Sequence, residues 1–370
     1  MDYREMAGNR VSLLGYGCMR FPTDDAGNID EARAEALLLR AYEAGINYFD
    51  TAWPYHDGES EIFIGKALKK YPRESFWLAD KMPMSKIEKK EEVQEIFEKQ
   101  LEKCQVEYFD NYLCHALNKD NWQKVLDFKV LDYLKEQKKL GKIKHLGFSF
   151  HDSRDVLKTI LDREDWDFVQ LQLNYYDVAN GDAQQLIDLA AEHNVPIFVM
   201  EPIRGGFLAR CVPDAITEIE NAYGKNSAPA LRLCYAFNIK GVKVVLSGMS
   251  TMEQVVENVA TAKNPIPMDE KAEKVIKDVM DDINSFVTVP CTKCRYCMPC
   301  PAGLDIPEIF RIYNDWCLFK NSRRTLDEIE KLEKKPADCV NCKKCMRVCP
   351  QRLEIPEIMK KIAAELSEIK

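Results

Sequence analysis

Residues 291–301 read CTKCRYCMPCP and residues 339–350 read CVNCKKCMRVCP, so two similar runs carry eight of the fourteen cysteines. The first run is spaced C-x2-C-x2-C-x2-C-P and the second C-x2-C-x2-C-x3-C-P. The likeness continues past the cysteines, because LDIPEI at residues 304–309 recurs as LEIPEI at residues 353–358, 49 residues further along. We interpret residues 286–370 as a small domain built on an internal duplication. A larger domain of residues 1–285 precedes it.

The spacing of the two runs indicates iron-sulfur chemistry. Three cysteines on one tight loop can present thiolates to three corners of a cubane cluster, whereas the proline ends the loop and turns the fourth sulfur elsewhere. Bacterial ferredoxins hold two [4Fe-4S] clusters with the spacing of the second run, and the fourth cysteine of each run binds the other cluster. The resemblance implies two ligand sets, Cys291, Cys294, Cys297 and Cys349 for one cluster and Cys339, Cys342, Cys345 and Cys300 for the other.

The eight cysteines allow three other interpretations. Structural zinc sites normally use two cysteine pairs separated by a longer loop, whereas here four cysteines lie within ten residues. A disulfide framework fits poorly, because nothing else in the chain indicates an oxidising compartment. A third interpretation accepts the clusters but gives them a purely structural role, as staples of a domain whose core is thin.

Composition describes a globular protein with an ample core, since 46% of the 370 residues are hydrophobic and 30% are charged. The formal net charge of −8 argues against a nucleic-acid partner. The first twenty residues lack an apolar segment, and no later run approaches the roughly 18 apolar residues that a membrane span needs. The sequence therefore predicts a cytoplasmic protein with neither a membrane nor a nucleic-acid partner.

The first 265 residues alternate short β-branched or aromatic runs with longer amphipathic runs, such as Glu31 to Ala44 and Val93 to Leu101. Eight such units predict a (β/α)8 TIM barrel, which we expect to precede a small C-terminal α-helical domain resembling bacterial ferredoxins. The predicted strands are Leu13 to Cys18, Ile46 to Asp50, Phe76 to Lys81, Asn111 to His115, Ile143 to Ser149, Phe168 to Leu173, Ile197 to Glu201 and Val242 to Ser247. An open doubly wound sheet is the alternative, but no G-x-G-x-x-G motif follows a strand.

Polar residues stand where three successive predicted strands end, at Asp50, Lys81 and His115, and Tyr55 follows Asp50 in the loop. In a barrel, the carboxyl ends of the strands carry the chemistry. One such residue alone is more often a helix cap or a hydrogen-bonded core residue. Together they suit hydride addition to a carbonyl, which needs a proton donor and nearby positive charge. A lysine ammonium would lower the pKa of Tyr55, and an aspartate would orient that lysine.

The barrel region resembles the aldo-keto reductases, from about residue 10 to residue 265. The motifs that carry the resemblance are Gly15-Tyr-Gly17, Phe49-Asp50-Thr51-Ala52, Tyr55, Gly58-Glu-Ser-Glu61, Gly65, Lys81 and His115. Together with the cysteine runs, the chain is similar to the subgroup in which such a barrel is fused to a ferredoxin-like module. The resemblance implies a catalytic tetrad of Asp50, Tyr55, Lys81 and His115, in which His115 directs the substrate oxygen. It also implies a nicotinamide cofactor, NAD or NADP, across the barrel mouth.

The resemblance implies a set of cofactor contacts, namely Met19, Ser149, Gln170, Met200, Arg204, Ser247, Gln254 and Asn258. Several of these positions depart from the family pattern. Phe150 replaces an asparagine, Met200 replaces a tyrosine that stacks on the nicotinamide, and Gly248 and Gln254 replace a lysine and an arginine. These losses remove phosphate-binding charge, so the choice between NAD and NADP stays open.

The sequence thus predicts an oxidoreductase that reduces a small-molecule carbonyl, or oxidises an alcohol, and exchanges electrons through two clusters. A hydride carries two electrons and a cluster passes one, so a flavin in the barrel, or direct one-electron reduction by a redox-protein donor, stays open. The alternative function is an electron-transfer or redox-sensing protein whose barrel binds a cofactor without turnover. Substrate identity, direction and oligomeric state stay undetermined.

Overall fold

A computed structural model describes residues 1–206, 208, 213–224, 227–286, 289–319 and 322–368. The chain divides into two compact units. The first comprises Met1–Pro202 with Pro229–Met268, and the second comprises Ile203–Ala228 with Asp269–Lys370. The predicted division of the chain after residue 285 stays a prediction.

The strands, in chain order, are β1 Tyr3–Met6, β2 Asn9–Ser12, β3 Leu14–Gly17, β4 Tyr48–Asp50, β5 Trp77–Met82, β6 Phe109–Leu117, β7 Ile143–Phe150, β8 Phe168–Gln172, β9 Ile197–Met200 and β10 Val242–Ser247. The α-helices are α1 Glu31–Glu43, α2 Glu59–Leu68, α3 Glu91–Cys104, α4 Lys119–Asp127, α5 Val130–Lys139, α6 Arg154–Arg163, α7 Tyr175–Asn180, α8 Ala183–Glu192, α9 Pro213–Tyr223, α10 Ser227–Asn238, α11 Met252–Lys263, α12 Glu270–Phe286, α13 Ile306–Phe319, α14 Ser322–Glu330, α15 Lys344–Val348 and α16 Ile355–Ser367. Among the described residues, no helix is long and apolar enough to cross a membrane.

Strands β3 to β10 form a closed, all-parallel barrel in which each strand pairs with the next and β10 pairs with β3. The register aligns Gly17 with Asp50, Asp50 with Ala79, and Lys81 with Leu113. The predicted (β/α)8 barrel is therefore confirmed, and each predicted strand overlaps an observed one. Apolar side chains such as Leu38, Phe97 and Leu157 fill the layer between strands and helices. This layer fixes the strand ends that carry the site.

An N-terminal hairpin of β1 and β2 was not predicted. Ala7 and Gly8 both have left-handed backbone angles, with φ of 49° and 81°, which suits a tight hairpin turn. The hairpin contributes Met6 and Val11 to the same buried cluster as Tyr48, Trp77, Ala79, Leu113, Phe168, Phe198, Val244 and Leu246, which line the barrel interior. Its strands have four residues each and are largely polar, so they lack a clear alternation of apolar and polar residues.

The second unit contains helices α9 and α12 to α16. Helices α13 and α16 begin at Ile306 and Ile355, which are 49 residues apart, so the sequence repeat is also a repeat of structure. Leu304 and Leu353, which precede these helices, are both buried in one core. That core also holds Phe310, Tyr313, Met359 and Ile362 among others. The likeness of this unit to bacterial ferredoxins stays a prediction.

Candidate active site

The four residues of the predicted tetrad lie together in the first unit. Asp50 ends β4, Lys81 lies near the end of β5 and His115 lies in β6. These neighbouring strands are parallel, so the three residues lie at the same end of the barrel. The Lys81 Nζ lies 2.6 Å from Asp50 Oδ1 and donates to the backbone oxygen of Thr51, also at 2.6 Å. It lies 3.4 Å from the Tyr55 hydroxyl. Lys81 is fully buried, so its charge acts in a poorly screened environment.

His115 faces Tyr55 across the site. The two ring centroids are 6.2 Å apart and the rings are nearly perpendicular. Burial lowers the pKa of His115 well below its usual range, and the charges of Lys81 and His151 lower it further. His115 is therefore a neutral imidazole near pH 7, and it can hydrogen-bond a substrate oxygen without carrying a charge.

The pKa of Tyr55 is not lowered, contrary to our expectation. Burial raises it well above its usual range, and the charge of Asp50 raises it further. The physical reason is burial, which removes a phenolate from water, and the ammonium of Lys81 does not offset this cost because it is paired with Asp50. Tyr55 is consequently a neutral hydroxyl, which suits the donation of a proton to a strongly basic alkoxide.

Gln170 contacts the Asp50 carboxylate, and its predicted cofactor contact stays a prediction. Its side-chain nitrogen donates to Asp50 Oδ2 at 3.2 Å, so the Asp50 carboxylate receives Lys81 on one oxygen and Gln170 on the other. Burial raises the pKa of Asp50, and the contacts with Lys81 and Gln170 oppose that rise. Gln170 thus helps to orient the carboxylate that orients the lysine. Only the pairing of strands far apart in sequence could reveal this contact.

The loop that presents Tyr55 has an unusual backbone. His56, Asp57 and Gly58 follow one another with φ of 50°, 55° and 97°, all in the left-handed region. The His56 Nε2 accepts a hydrogen bond from the backbone N–H of Phe21 at 3.1 Å and so ties this loop to the segment after β3. Sequence reasoning missed His56, although its position directly after Tyr55 was a signal.

A buried polar network supports Lys81 from the helix side. Gln100 of α3 donates to the backbone oxygen of Lys81 at 3.0 Å and to Glu61 Oε1 at 2.8 Å. Lys103 donates to Glu61 Oε2 at 2.6 Å. Burial, followed by the charge of Glu61, raises the pKa of Asp80 well above its usual range. The network links α2 and α3 to the strand that carries Lys81. No pattern in the sequence pointed to Gln100.

The remaining predicted cofactor contacts of the first unit lie at carboxyl ends of barrel strands or in the segments that follow. Ser149 Oγ accepts from the backbone N–H of Ala116 at 2.7 Å. Asn258 donates to Ser247 Oγ at 3.0 Å, so these two candidates bind each other. Gln254 Oε1 accepts from the N–H of Ser250 and helps to cap α11. Met19 lies in the turn Cys18–Arg20, and Met200 ends β9 and is half-buried.

Arg20 occupies the space beside Gly248, where the family resemblance predicts a lysine. A Cβ built on Gly248 would lie 3.0 Å from three carbons of the Arg20 side chain. The Arg20 guanidinium lies 3.2 Å from Glu201 Oε1. Positive charge is therefore present near this position, but it comes from the segment after β3 and is paired with a carboxylate after β9.

Arg204 lies in the second unit. Its guanidinium donates to the backbone oxygen of Pro290 at 2.9 Å and to Gln351 Oε1 at 2.8 Å. Arg204 also has left-handed backbone angles, with φ of 46°. These bonds join the segment before the first cysteine run to the segment after the second. The predicted cofactor contact of Arg204 stays a prediction.

The family model for the "Aldo/keto reductase family" matches residues 13–277. The chain belongs to the aldo-keto reductase family. It is thus an oxidoreductase of that kind, which acts on a small-molecule carbonyl or alcohol. The match ends before both cysteine runs, so residues 278–370 lie outside it.

Two curated relatives illustrate the similarity of this aldo-keto reductase. An L-galactose dehydrogenase of Arabidopsis thaliana is 27% identical over 75% of the chain and 93% of its own length. An NADH-specific methylglyoxal reductase of Escherichia coli is 26% identical over 68% of the chain and 89% of its own length.

Solved structures agree with the barrel. The holo form of an aldo-keto reductase from Bacillus halodurans is 27% identical, with a TM-score of 0.63 over 75% of this chain and 96% of that one. An aldo/keto reductase from Klebsiella pneumoniae, solved in complex with NADP and acetate, has a TM-score of 0.61 over 74% of this chain and 93% of that one. At 21% identity, the second comparison supports only the shared fold.

The cysteine runs of this aldo-keto reductase lie in the second unit, and their predicted ligand sets stay a prediction. One pocket has Cys300, Cys339, Cys342 and Cys345 among its lining residues, and these are the four residues of one predicted ligand set. Burial raises the pKa of Cys297 to about 12, and the nearby thiols of Cys294, Cys291 and Cys349 raise it further. None of the eight cysteines forms a disulfide bond. Among the described residues, no three Cys, His, Asp or Glu side chains are arranged to hold a metal ion.

Six further cysteines lie outside the runs. Five of them, Cys18, Cys104, Cys114, Cys234 and Cys317, are buried and form no disulfide bond. Cys211 lies outside the described residues.

Proposed function

We propose that the first unit reduces a carbonyl, or oxidises the corresponding alcohol, with Tyr55 as the proton donor or acceptor. The observation that carries the proposal is the placement of one buried ammonium, Lys81 Nζ, 2.6 Å from Asp50 Oδ1 and 3.4 Å from the Tyr55 hydroxyl. A neutral His115 ring faces that hydroxyl. A pure binding module would have little need for such a group of residues.

Each residue has a separate role in the proposed reaction. Tyr55 gives its proton to the carbonyl oxygen as negative charge develops there, and Lys81 stabilises the tyrosine oxygen that is left negative. Asp50, held by Gln170, keeps Lys81 in place. His115 donates a hydrogen bond that fixes the substrate oxygen near Tyr55. Because His115 and Tyr55 are both neutral beforehand, charge develops only as the reaction proceeds.

We infer that a nicotinamide cofactor binds at the barrel mouth, through Met19, Ser149, Met200, Ser247, Gln254 and Asn258. The donor set fits this group, since hydroxyls and amides suit a carboxamide and ribose, and methionine can pack on a ring. When bound, the cofactor supplies or accepts a hydride at the substrate carbon. Arg20 is the nearby cation for a phosphate, and Glu201 competes for it. This competition favours NAD over a cofactor that carries an additional phosphate.

We propose that the second unit holds two [4Fe-4S] clusters in the ligand sets predicted above. The cavity lined by Cys300, Cys339, Cys342 and Cys345 supports one set, because it joins the fourth cysteine of one run to the first three of the other. The effect of Cys349 on the pKa of Cys297 supports the other set. Bound clusters would supply one-electron transfer between the barrel reaction and a redox protein. A flavin would reconcile one-electron and two-electron steps. A cytoplasmic location stays a prediction.

The catalytic proposal is tested by replacing Tyr55 with phenylalanine. We expect Tyr55→Phe to lower the rate of carbonyl reduction by about 10²- to 10⁴-fold, because it removes the proton donor and little volume. Tyr42→Phe is the matched control, since the Tyr42 hydroxyl donates to Ser75, outside the site. Steady-state rates over a panel of aldehydes and ketones provide the measurement. Near-normal turnover of Tyr55→Phe would contradict the role of Tyr55.

The cofactor and cluster proposals are tested together on anaerobically purified protein. Iron and sulfide analysis should give about eight of each per chain, as two cubane clusters require. Titration with NADH and NADPH should perturb the absorption or fluorescence spectrum, and NADH should bind more tightly. Extraction of a flavin would show how single electrons are converted to pairs. Protein without iron would overturn the cluster proposal and leave the barrel proposal intact.

A further inference from the structure

The loop that carries Cys342 is strongly cationic. Residues 340–349 contain Lys343, Lys344 and Arg347 and no acidic residue, although the whole chain has a formal net charge of −8. All three side chains are exposed, and none of them forms an ion pair within the described part of the chain. We call these three residues, together with Val340 and Val348, the basic face.

The basic face also presents apolar surface. The described residues include five exposed large hydrophobic side chains, and two of them are Val340, at 67% exposure, and Val348, at 44%. Exposed apolar side chains together with charged ones are typical of protein interfaces, whereas a small anion needs only the charges. Cys342 lies between these valines in sequence and is the exposed member of its ligand set.

The corresponding loop of the first run lacks this character. Arg295 follows Cys294 as Lys343 follows Cys342, but Arg295 pairs with Asp305 at 3.4 Å. Residues 291–300 include no valine, and the cysteines there are half-buried. The two halves of the duplication have therefore diverged, and only the second presents unpaired positive charge beside an exposed thiol.

We propose that the basic face is the docking surface for a small acidic one-electron carrier protein, which exchanges an electron with the cluster held by Cys300, Cys339, Cys342 and Cys345. The inference rests on the proposed function, since it needs that cluster. In each encounter the carrier loses one electron and is oxidised, and the cluster gains it and is reduced, with no bond made or broken. Charge complementarity selects an acidic partner, because opposite charges steer association and like charges prevent it.

The test measures the rate at which a reduced, strongly acidic [2Fe-2S] ferredoxin reduces the clusters, by anaerobic stopped-flow at several salt concentrations. Replacement of all three cations, Lys343→Glu, Lys344→Glu and Arg347→Glu, should lower the second-order rate constant at low salt by at least about tenfold, and added salt should shrink the difference. The charge-matched control is Lys274→Glu, Lys277→Glu and Lys331→Glu, three exposed lysines elsewhere in the same unit, which should change it less than twofold.

Two further measurements separate docking from cluster damage. Iron and sulfide content, and reduction by neutral photoreduced 5-deazariboflavin, should be the same in all three proteins. If the triple variant and its control both contain the clusters and accept electrons from ferredoxin equally fast, this inference is overturned and the proposed function is not. Tighter binding of a short DNA duplex than of ferredoxin also overturns it. Protein without iron overturns the proposed function, and this inference with it.

Discussion

At the scale of single residues, burial decides the protonation state of the site. Burial lowers the pKa of His115 and His56, and it raises the pKa of Tyr55. All three groups are consequently neutral near pH 7. His56 must be neutral to accept the hydrogen bond from Phe21, because a protonated imidazole has no free acceptor. Protonation of His56 in acid would therefore break a hydrogen bond that holds the loop carrying Tyr55.

We predict that the stability of the protein falls as the pH drops below about 6.5, the unfolded pKa of histidine. His56 has a lowered pKa in the folded state, so the unfolded chain binds protons more readily in this window and acid favours unfolding. His56→Gln should therefore weaken this loss of stability. Urea unfolding at several pH values between about 5 and 8 provides the measurement.

His193 is the matched control for this prediction, with the opposite sign. Its hydrogen bond to Asp162 raises its folded pKa, so its contribution to stability is present below the unfolded value and is lost as the pH rises through the folded value. His193→Gln should therefore steepen the loss of stability in acid. If both variants shift the pH dependence in the same direction, burial of His56 is not the cause.

At the scale of elements, α2 and α3 approach each other closely. This contact positions the polar network that supports Lys81. A Cβ built on Gly65 would lie 2.6 Å from the backbone oxygen of Lys103 and 2.7 Å from the carbonyl carbon of Cys104. These are backbone atoms, which cannot move aside as a side chain can. Gln100 and Lys103, which hold Glu61, lie on the same helix α3.

We predict that Gly65→Ala lowers the free energy of unfolding by about 1–3 kcal/mol, because it overpacks this contact. The helix propensity of alanine would by itself predict a gain, so the sign is informative. Lys66→Ala, at the exposed neighbouring position, should change stability by less than about 0.5 kcal/mol. Urea unfolding measures both variants. A stabilised Gly65→Ala variant would show that α2 and α3 can separate without cost.

At the scale of the whole molecule, the two halves of the duplicated segment, residues 291–358, share cluster ligands under the proposed function. In the proposed ligand sets, Cys300 and Cys349 each serve the cluster of the other run. The first run has one residue fewer before its last cysteine than the second. If the shorter loop of the first run could not reach the other cluster, each fourth cysteine would bind the cluster of its own run instead.

We predict that Cys300 and Cys349 give different results once the first run is disabled. A variant with Cys291, Cys294 and Cys297 all changed to serine should keep one cluster, about four irons per chain. Adding Cys300→Ser should remove or destabilise that cluster, because Cys300 is its fourth ligand. Adding Cys349→Ser should leave it in place.

Iron analysis and electron paramagnetic resonance of the reduced protein give the readout for these variants. Far-UV circular dichroism checks that the helices of the second unit still form. The opposite result, with iron lost from the Cys349→Ser variant and kept in the Cys300→Ser variant, would show that the fourth cysteines do not exchange.

Most of the barrel, and the polar residues at the ends of its strands, could be predicted, because the relevant signals are local. Each strand is a short apolar run, and Asp50, Lys81 and His115 stand where such runs end. The hairpin of β1 and β2 was missed because it is short and polar. The shift in the pKa of Tyr55 was predicted in the wrong direction. The prediction considered the nearby charge of Lys81 but not the burial of the hydroxyl, which has the larger effect.

The sequence by itself determined the eight strands, the residues at their ends and the repeat of residues 291–358, because periodicity and spacing are properties of the chain. Only the tertiary structure decided the partners of the side chains. Gln170 meets Asp50 from a strand 120 residues away, and Arg20 fills the space that Gly248 leaves. Such contacts depend on how the barrel closes and on the register of its strands, and no local pattern records either.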